Sequence, residues 1–263
     1  MHDYWVRQNI EEPLFPDLLW SRPENRRQAG KLLIAGGNAH GFAAAADAYA
    51  AAEAAGIGRA RVLIPDSLRK TIGRVFAAGE YVPSTPSGSF SRRSLAELLA
   101  LSQWADAVLL AGDFGRNSET AIVLEQFAAK YDGQLTLTKD AADYFIKTPA
   151  QLLDRSETLL IVSFAQLQKF AAGAGVTTAF TFDMDLLRVV KTLHDFTKRH
   201  QAAIITKHLD TIFVAAGGRV STTKLTKDIE IWRVQTAGTA AVWWLQNPSK
   251  AFEALTSAVT QDS

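Results

Sequence analysis

The sequence predicts an α/β protein, with a mostly parallel central sheet covered by helices on both faces and an antiparallel hairpin at one edge. Short apolar runs alternate with helical segments along most of the 263 residues, as in chains built from strand–helix–strand units. Several of these runs end in turns that contain glycine or aspartate, which suits buried parallel strands. Near the C-terminal end, the strand-like runs DTIFVAAGG and RVSTTKL are joined by Gly-Gly, and this pair predicts the hairpin.

The first strand–helix–strand unit begins at residue 31. KLLIAGG (31–37) is a short apolar run that ends in glycines, and we predict a buried strand there. The Ala-rich segment 43–56 has high helix propensity and ends at Gly56, a residue type that is common just after helix C-termini. RARVLIPD (59–66) is the second predicted strand, at the usual distance for such a unit.

The alternation of strands and helices continues along the rest of the chain. The Ser-, Pro- and Gly-rich segment 79–94 interrupts it and is predicted to be a surface loop. The further predicted strands lie in 105–115, 133–145, 157–163, 201–208, 210–218 and 219–225. The further predicted helices lie in 94–105, 118–133, 164–173, 184–201, 239–246 and 248–259.

Composition excludes several function classes. The net charge of +1 gives no electrostatic reason to expect nucleic acid or an anionic membrane surface as a partner. The chain has no cysteine, which excludes disulfides and thiolate metal ligands. The apolar runs are too short or too interrupted by charge to span a bilayer. We therefore expect a soluble cytoplasmic protein with one domain over 1–263, in which 1–30 form an arm packed on the body.

The stretch QTAGTAAVWW (235–244) is the first candidate for a ligand site. The small residues Thr236–Thr239 predict a turn that leads directly into an apolar helix. A turn of this kind can hold a phosphate, because the free N–H groups and the dipole at a helix N-terminus both favour an anion. No acidic or basic side chain follows the turn where chemistry would need one.

The other motifs are less specific. GGNAHG (36–41) lies between a strand and a helix, but its glycines do not have the spacing of the dinucleotide-binding fingerprint. His194 and His200 lie on different faces of one predicted helix, and the remaining histidines are scattered, so we expect no metal site. Asp113 and Asp140 follow the ends of strands, where open α/β sheets bind ligands, although aspartate also caps helices there.

Several segments, taken in order, resemble the ADP- or ATP-dependent NAD(P)H-hydrate dehydratases of the ribokinase-like superfamily. The resemblance runs from about residue 20 to the end of the sequence and rests on order and spacing more than on identical residues. Segment 31–65 resembles that family's first strand, glycine turn, Ala-rich helix and second strand. The later matches are ADAVLLAGDFGRNSET to its Gly-Pro-Gly-Leu-Gly turn, LTLTKDAADYF to its Asp-Ala-Asp-Ala-Leu turn, AAIITKHLDTIFVA to its Lys-Gly strand and hairpin, and QTAGTAAVWWLQ to its Gly-Thr-Gly-Asp anion hole and helix.

The resemblance implies a ribokinase-like three-layer α/β/α fold and a site between the sheet's C-terminal edge and the last helices. ADP or ATP would lie there beside hydrated NADH or NADPH, and the Asp of Gly-Thr-Gly-Asp would act as the base. The implied nucleotide-binding positions are Lys207, His208, Thr211, Gly238, Thr239 and Ala240. The implied substrate-binding positions are Asn38, Ala44, Asp113 and Asp140.

The chain departs from the family pattern at several of these positions. Ala241 stands where the catalytic Asp belongs, and a methyl group cannot take a proton. VSFAQLQ (162–168) replaces the Thr-Pro-His-Pro-Gly-Glu segment that contacts the substrate, and Asp113 replaces a glycine of the glycine-rich turn. The further departures are Thr138 for the first Asp of the Asp-Ala-Asp turn, His208 for the glycine after Lys207, and the short stretch TTKLTKDIEIW before the anion hole.

These departures leave three hypotheses. The first is a homologue that lacks the dehydratase activity and binds a nucleotide, a phosphate or a protein partner. The second is a working dehydratase or small-molecule kinase that uses Asp113 or Asp140 as a replacement acid. The third is a dinucleotide-dependent oxidoreductase with its cofactor at 36–41. Trp243 and Trp244 lie side by side on one predicted helix and offer faces in two directions, so we expect both to be core, with an interface at one of them as the alternative. The resemblance places this helical region near subunit contacts and so implies a homo-oligomer.

Overall fold

A computed structural model describes residues 3–9, 11–74, 76–176, 179–225 and 232–260. Within these ranges the chain forms one ten-stranded sheet with helices on both faces. The strands are β1 (Trp5–Gln8), β2 (Lys31–Gly36), β3 (Arg59–Pro65), β4 (Gly79–Val82), β5 (Ala107–Gly112), β6 (Gln134–Thr138), β7 (Thr158–Ser163), β8 (Ala203–His208), β9 (Thr211–Ala216) and β10 (Arg219–Lys224). The helices are α1 (Pro16–Trp20), α2 (Ala43–Ala54), α3 (Arg69–Ile72), α4 (Ser94–Trp104), α5 (Ser118–Lys130), α6 (Asp140–Asp143), α7 (Ala150–Leu153), α8 (Phe164–Gly173), α9 (Leu186–Arg199), α10 (Trp232–Gln246) and α11 (Ala251–Ala258).

The strand order is β1-β10-β9-β8-β7-β6-β5-β2-β3-β4. Every pair from β8 to β4 is parallel, whereas β9 pairs antiparallel with both β8 and β10. The predicted parallel sheet with an antiparallel hairpin is therefore confirmed. The predicted arm contributes β1, which pairs parallel with β10 outside the hairpin and forms the outermost strand on that side.

Two apolar cores lie on opposite faces of the sheet, because alternate side chains of each strand point to opposite sides. Leu33, Val108 and Leu110 belong to the core covered by α4, α5, α8 and α9. Leu32 and Leu109 belong to the core covered by α2, α10 and α11. All six residues of β5 are buried, as expected for a central parallel strand with helices on both sides. The structure thus has three layers.

The small residues of QTAGTAAVWW form part of a helix–helix contact. α10 already begins at Trp232, so Thr236–Thr239 lie inside the helix, and the predicted turn before a helix is wrong. A Cβ atom added at Gly238 would come within 2.6 Å of the Ala48 carbonyl oxygen and 2.7 Å of the Ala51 Cβ, both on α2. Glycine at this position therefore allows α10 to pack directly against the alanine face of α2.

The structure decides two further predictions. Trp243 and Trp244 are 1% and 2% exposed, so the expectation that both are core residues is confirmed and the alternative of an interface at one of them is wrong. The predicted loop 79–94 begins with β4, a short strand that pairs with β3. No helix among the described residues is both long and apolar enough to cross a membrane.

Candidate functional site

The parallel strands present a row of turns at their C-terminal ends. Three residues in this row, Asp113, Lys139 and Leu209, directly follow β5, β6 and β8 and have φ angles of 58°, 51° and 54°. Among the described residues they are the only positive-φ residues that are not glycine. Such backbone conformations are costly for these residue types and cluster at functional sites. This edge of the sheet is therefore the candidate site.

Asp113 is the centre of the turn after β5. One oxygen of its carboxylate, Oδ2, accepts a hydrogen bond from the backbone N–H of Ala44 at 2.8 Å, in the first turn of α2. The other oxygen, Oδ1, lies 2.7 Å from the ammonium nitrogen of Lys139, which is the residue after β6. The side chains of Asp113 and Lys139 are 19% and 33% exposed. The carboxylate therefore joins the ends of β5 and β6 to the start of α2.

Asn38 is bound to the same turn. Its side-chain amide donates to the Asp113 carbonyl oxygen at 2.5 Å, and its own oxygen accepts from the backbone N–H of His40 at 2.7 Å. The structure thus brings together the predicted substrate-binding residues Asn38, Ala44 and Asp113. It bonds them to one another, however, so that the Asn38 amide, the Ala44 N–H and the Asp113 carboxylate are all engaged.

Asp140 occupies the next position along the edge. Its Oδ2 accepts from the Gly115 N–H at 3.0 Å, while its Oδ1 is buried and has no hydrogen-bond partner in the described part of the chain. Burial raises the pKa of Asp140, and the nearby Asp113 carboxylate adds to the rise, whereas the Gly115 N–H and the Lys139 ammonium lower it. A carboxyl group with a raised pKa beside a cleft is a candidate for proton transfer.

A cavity of about 360 Å³ borders Asp140 at the start of α5. The Tyr144 hydroxyl donates to the Gly115 carbonyl oxygen on one side of it, and burial raises the pKa of this hydroxyl. The residues that line the cavity are Gly115, Arg116, Asn117, Ser118, Ala121, Asp140, Asp143 and Tyr144. The cavity therefore offers carboxylates, a phenol and one exposed arginine to a small molecule.

Gln166 connects β6, β7 and the start of α10, and sequence reasoning did not find it. Its amide nitrogen donates to the Lys139 carbonyl oxygen and to the Asp143 carboxylate, at 2.8 Å each. Its oxygen accepts from Ser163 and, at 3.0 Å, from the half-buried Arg233 guanidinium, whose pKa is lowered by burial. The signal in the sequence was the pattern Ser-x-x-Gln after a strand, which predicts a capping box at the start of α8.

The predicted nucleotide-binding residues divide into two groups. Lys207 lies at the end of β8 beside Ser163 of β7, and Thr211 begins β9, so both belong to this edge. His208 is 6% exposed, stacks on Phe164, and places its Nε2 3.0 Å from the Met184 carbonyl oxygen. The His208 ring is therefore a packing element beneath the edge rather than a group that faces it.

The other group lies away from the edge. Gly238, Thr239, Ala240 and Ala241 are buried inside α10, so their N–H groups belong to the helix interior rather than to its free N-terminus. The Ala241 carbonyl oxygen accepts from the side chain of Gln134, the first residue of β6. This contact places Ala241 at the opposite end of the strands, so the register that aligned it with a catalytic Asp is wrong. The start of α10, at Trp232, is at the candidate site, and 226–231 lie outside the described residues.

No protein-family model and no curated protein sequence matches this chain. A ribokinase-like superfamily protein from Enterococcus faecalis matches its structure with a TM-score of 0.75 over 99% of this chain and 86% of the other, at 14% sequence identity. The chain has the ribokinase-like fold.

Two further solved structures extend the comparison. The ADP/ATP-dependent NAD(P)H-hydrate dehydratase of Bacillus subtilis, co-crystallised with ATP and Mg²⁺, has a TM-score of 0.62 at 14% identity, over 94% of this chain and 86% of the enzyme. An adenosine kinase of Anopheles gambiae has a TM-score of 0.53 at 13% identity, over 98% and 95% of the two chains. At these identities the similarity shows the fold, and it confirms the predicted resemblance at that level.

Proposed function

We propose that this chain binds a phosphate-bearing small molecule, such as ADP or ATP, at the C-terminal edge of its sheet and lacks NAD(P)H-hydrate dehydratase activity. Two solved proteins of the same fold support nucleotide binding: one was crystallised with ATP and Mg²⁺ and the other with a diadenosine tetraphosphate. Lys207 at the end of β8 and Arg233 in the first turn of α10 supply positive charge for such a ligand. Cationic side chains and a helix N-terminus are the usual groups that bind phosphate.

The loss of dehydratase activity rests on one observation, the Asp113 carboxylate. It fills the turn after β5, bonded to the Ala44 N–H and to Lys139, where the resemblance implies a glycine. A carboxylate at this position repels the phosphates of a hydrated dinucleotide. The described first turn of α10, from Trp232, also contains no acidic residue that could act as the base.

Calorimetric titration of the full chain with ADP, ATP and AMP, in the presence of Mg²⁺, tests nucleotide binding. We expect binding of at least one of the three, and at least a tenfold loss of affinity in Lys207→Met. Lys198→Met is the matched control, because Lys198 is exposed and lies against Gly218 in the turn between β9 and β10, at the opposite end of the hairpin from Thr211, and should not affect binding. If no nucleotide binds at millimolar concentration, this part of the proposal is wrong.

Incubation with hydrated NADH and ATP or ADP tests the second part. The B. subtilis dehydratase serves as the positive control, and formation of NADH is followed by absorbance. We expect no rise above the uncatalysed rate with this chain. A rise would show that it is an active dehydratase, whatever the nucleotide titration gives.

The second candidate function, an active enzyme with a replacement acid, is favoured by Asp140. This carboxyl group has a raised pKa, lies beside the 360 Å³ cavity and is the residue that the resemblance retains from the family turn. If the chain is an enzyme of this kind, any activity found with a nucleotide and a small hydroxylated substrate falls about 10²–10⁴-fold in Asp140→Asn. An activity that survives this substitution would exclude Asp140 as the acid.

A further inference from the structure

We propose that a cavity at the N-terminal ends of the strands binds a small aliphatic diamine, a molecule with two ammonium groups on a short hydrocarbon chain. The cavity has a volume of about 470 Å³ and lies at the opposite end of the strands from the candidate site. Its walls include Asp106, Gln134, Glu157, Leu245, Gln246 and Pro248. The inference goes beyond the proposed function, because it concerns a second site and a different class of ligand.

Two carboxylates lie at this edge of the sheet. Asp106 directly precedes β5 and Glu157 directly precedes β7, and β6 runs between these two strands. Since neighbouring strands are about 4.8 Å apart, the two residues lie roughly 10 Å from each other along the edge. No salt bridge among the described residues uses either carboxylate. This spacing suits two ammonium groups joined by a short hydrocarbon chain.

Two glutamine amides add hydrogen-bond acceptors. Gln134 is only 6% exposed, and its side-chain nitrogen donates to the Ala241 carbonyl oxygen at 3.2 Å. Because a carbonyl oxygen only accepts, this contact fixes the amide orientation and leaves the Gln134 oxygen to the cavity, where it accepts no hydrogen bond from the described residues. The Gln246 nitrogen donates to the Ala29 and Gly56 carbonyl oxygens, at 3.2 Å and 3.1 Å, which orients its amide in the same way. An acceptor left without a donor in a buried residue calls for a ligand that donates hydrogen bonds.

The C-terminal end of α10 forms another wall of the cavity. α10 is 15 residues long, and Leu245 and Gln246 bring its last turn to the cavity. The helix dipole places partial negative charge at this end, which favours a cation, and the last turn of α10 contains no basic residue. Leu245 and Pro248 supply apolar surface for the hydrocarbon chain of a diamine.

Arg155 interacts electrostatically with Glu157, but its guanidinium is engaged by the backbone. It donates to the Tyr131 and Glu157 carbonyl oxygens at 2.6 Å each, and also to the Gly133 carbonyl oxygen. Arg155 therefore holds together the segments that precede β6 and β7, and it leaves the Glu157 carboxylate to the cavity. In the described part of the chain, no lysine, arginine or histidine lines the cavity.

Titration calorimetry of the full chain with putrescine, a short aliphatic diamine, tests the site at low ionic strength, where charge interactions are least screened. We expect saturable binding at one site, at least tenfold tighter than the binding of n-butylamine, which has the same hydrocarbon chain and only one ammonium group. Magnesium chloride at equal concentration should not displace the diamine, because the described residues contain no group of three acidic, histidine or cysteine side chains that could hold a metal ion.

Glu157→Gln and Asp106→Asn each remove one negative charge and keep the size of the side chain. An asparagine oxygen can also still accept the hydrogen bond that Asp106 accepts from the Lys31 N–H. We expect each variant to bind putrescine at least tenfold more weakly than the wild type does. Asp132→Asn is the matched control, since Asp132 is exposed beside Gly133 and does not line the cavity. Thermal unfolding first establishes that each variant is folded, and if one of the two cavity variants does not fold, the other decides.

Four results would overturn the proposal. Putrescine does not bind, or n-butylamine binds as tightly as putrescine does. Asp132→Asn weakens binding as much as the cavity variants do, which would mean that only the general charge of this surface attracts the diamine. Magnesium displaces the diamine at equal concentration, which would identify a site for a divalent metal ion instead. The nucleotide titration decides the proposed function separately, because it probes the other end of the strands.

Discussion

Two stretches of this chain that contain glycine have different structural roles. Ala237–Ala241 contains glycine and alanines, lies inside α10, and is buried against α2. Ala111–Gly115 contains two glycines, spans the end of β5 and the turn after it, and carries the Gly115 N–H and the Asp113 carboxylate that contact Asp140 and Lys139 at the candidate site. At Gly238 glycine allows the backbone of α2 to come close, whereas at Gly112 it makes room for the side chains of Lys139 and Asp140. The stretch inside a helix serves packing, and the stretch at a strand end lies at the candidate site.

The largest expected effect is a loss of stability when Gly238 in Ala237–Ala241 is changed. Gly238→Val should destabilise the fold by about 3 kcal/mol, because the added atoms would overlap the backbone of α2 and the helices have no flexible side chain there that could move aside. Urea unfolding measures the loss. Ala50→Val is the control, since Ala50 is exposed on α2 and the change should cost only helix propensity, less than about 0.7 kcal/mol. Equal losses in both variants would contradict the close helix contact.

The next largest effect is a loss of stability at Gln166, which lies beside the candidate site. Gln166→Ala should cost about 2 kcal/mol, because it removes the buried amide that joins three partly buried hydrogen bonds, to Lys139, Asp143 and Arg233. Gln168→Ala on the same helix, with one hydrogen bond to the Phe180 carbonyl, should cost less than half as much. Urea unfolding of both variants checks the order. The reverse order would show that Gln166 does not organise the edge.

A smaller effect is expected for the ion pair between Asp113 and Lys139. A double-mutant cycle of Asp113→Asn and Lys139→Met should give a coupling energy of about 1 kcal/mol, since the pair is only partly exposed and one partner also caps α2. The more exposed pair Lys191–Asp195 on α9, with side chains 68% and 44% exposed, should couple more weakly in the same measurement. A coupling no larger than that of the exposed pair would mean that Asp113 and Lys139 are not held together in solution.

The smallest expected effect is the change of the unfolding free energy with pH. The pKa of Asp140 is raised in the folded state, so the folded chain holds this proton more tightly than the unfolded chain does. The resulting stability is fully present below the unfolded pKa near 3.8 and is lost as pH rises through the folded value. Asp140→Asn should remove this decline in urea-unfolding free energy.

Asp210→Asn provides a control of opposite sign. Hydrogen bonds to Lys224 and Thr211 lower the pKa of Asp210, so its contribution is present above pH 3.8 and is lost as pH falls through the folded value. The two variants should therefore change the pH profile in opposite directions. A wild-type profile that Asp140→Asn leaves unchanged would show that this carboxyl group is not buried in solution.

Much of the fold could be predicted because it depends on local pattern. The buried strand at 31–36, the Ala-rich helix and the Gly-Gly hairpin each follow from runs of residues whose burial is set by periodicity. β1 and β4 could not be predicted, because four-residue strands at the sheet margins depend on pairing with distant strands. The start of α10 was misplaced because glycine and threonine have low helix propensity, and packing against α2 outweighs it.

The position of the candidate site was partly predictable from the sequence. Asp113 and Asp140 follow strands, and the rule that ligand sites lie at carboxyl ends of parallel strands brings them to one edge. That Asp113 bonds to Ala44 and Lys139 depends on side-chain directions across three elements, which sequence spacing does not give. The alignment of Ala241 with a catalytic Asp failed because resemblance by order cannot fix register within a helix.

The outermost strand has a consequence for handling this protein. β10 would otherwise present its unpaired N–H and C=O groups along one margin of the sheet, ready to pair with a strand from a neighbouring molecule. Residues 5–8 cover that margin with a strand only four residues long that carries Arg7, and short, charged margins resist such pairing. Shortening the chain from its start would therefore promote aggregation before it altered the groups at the candidate site.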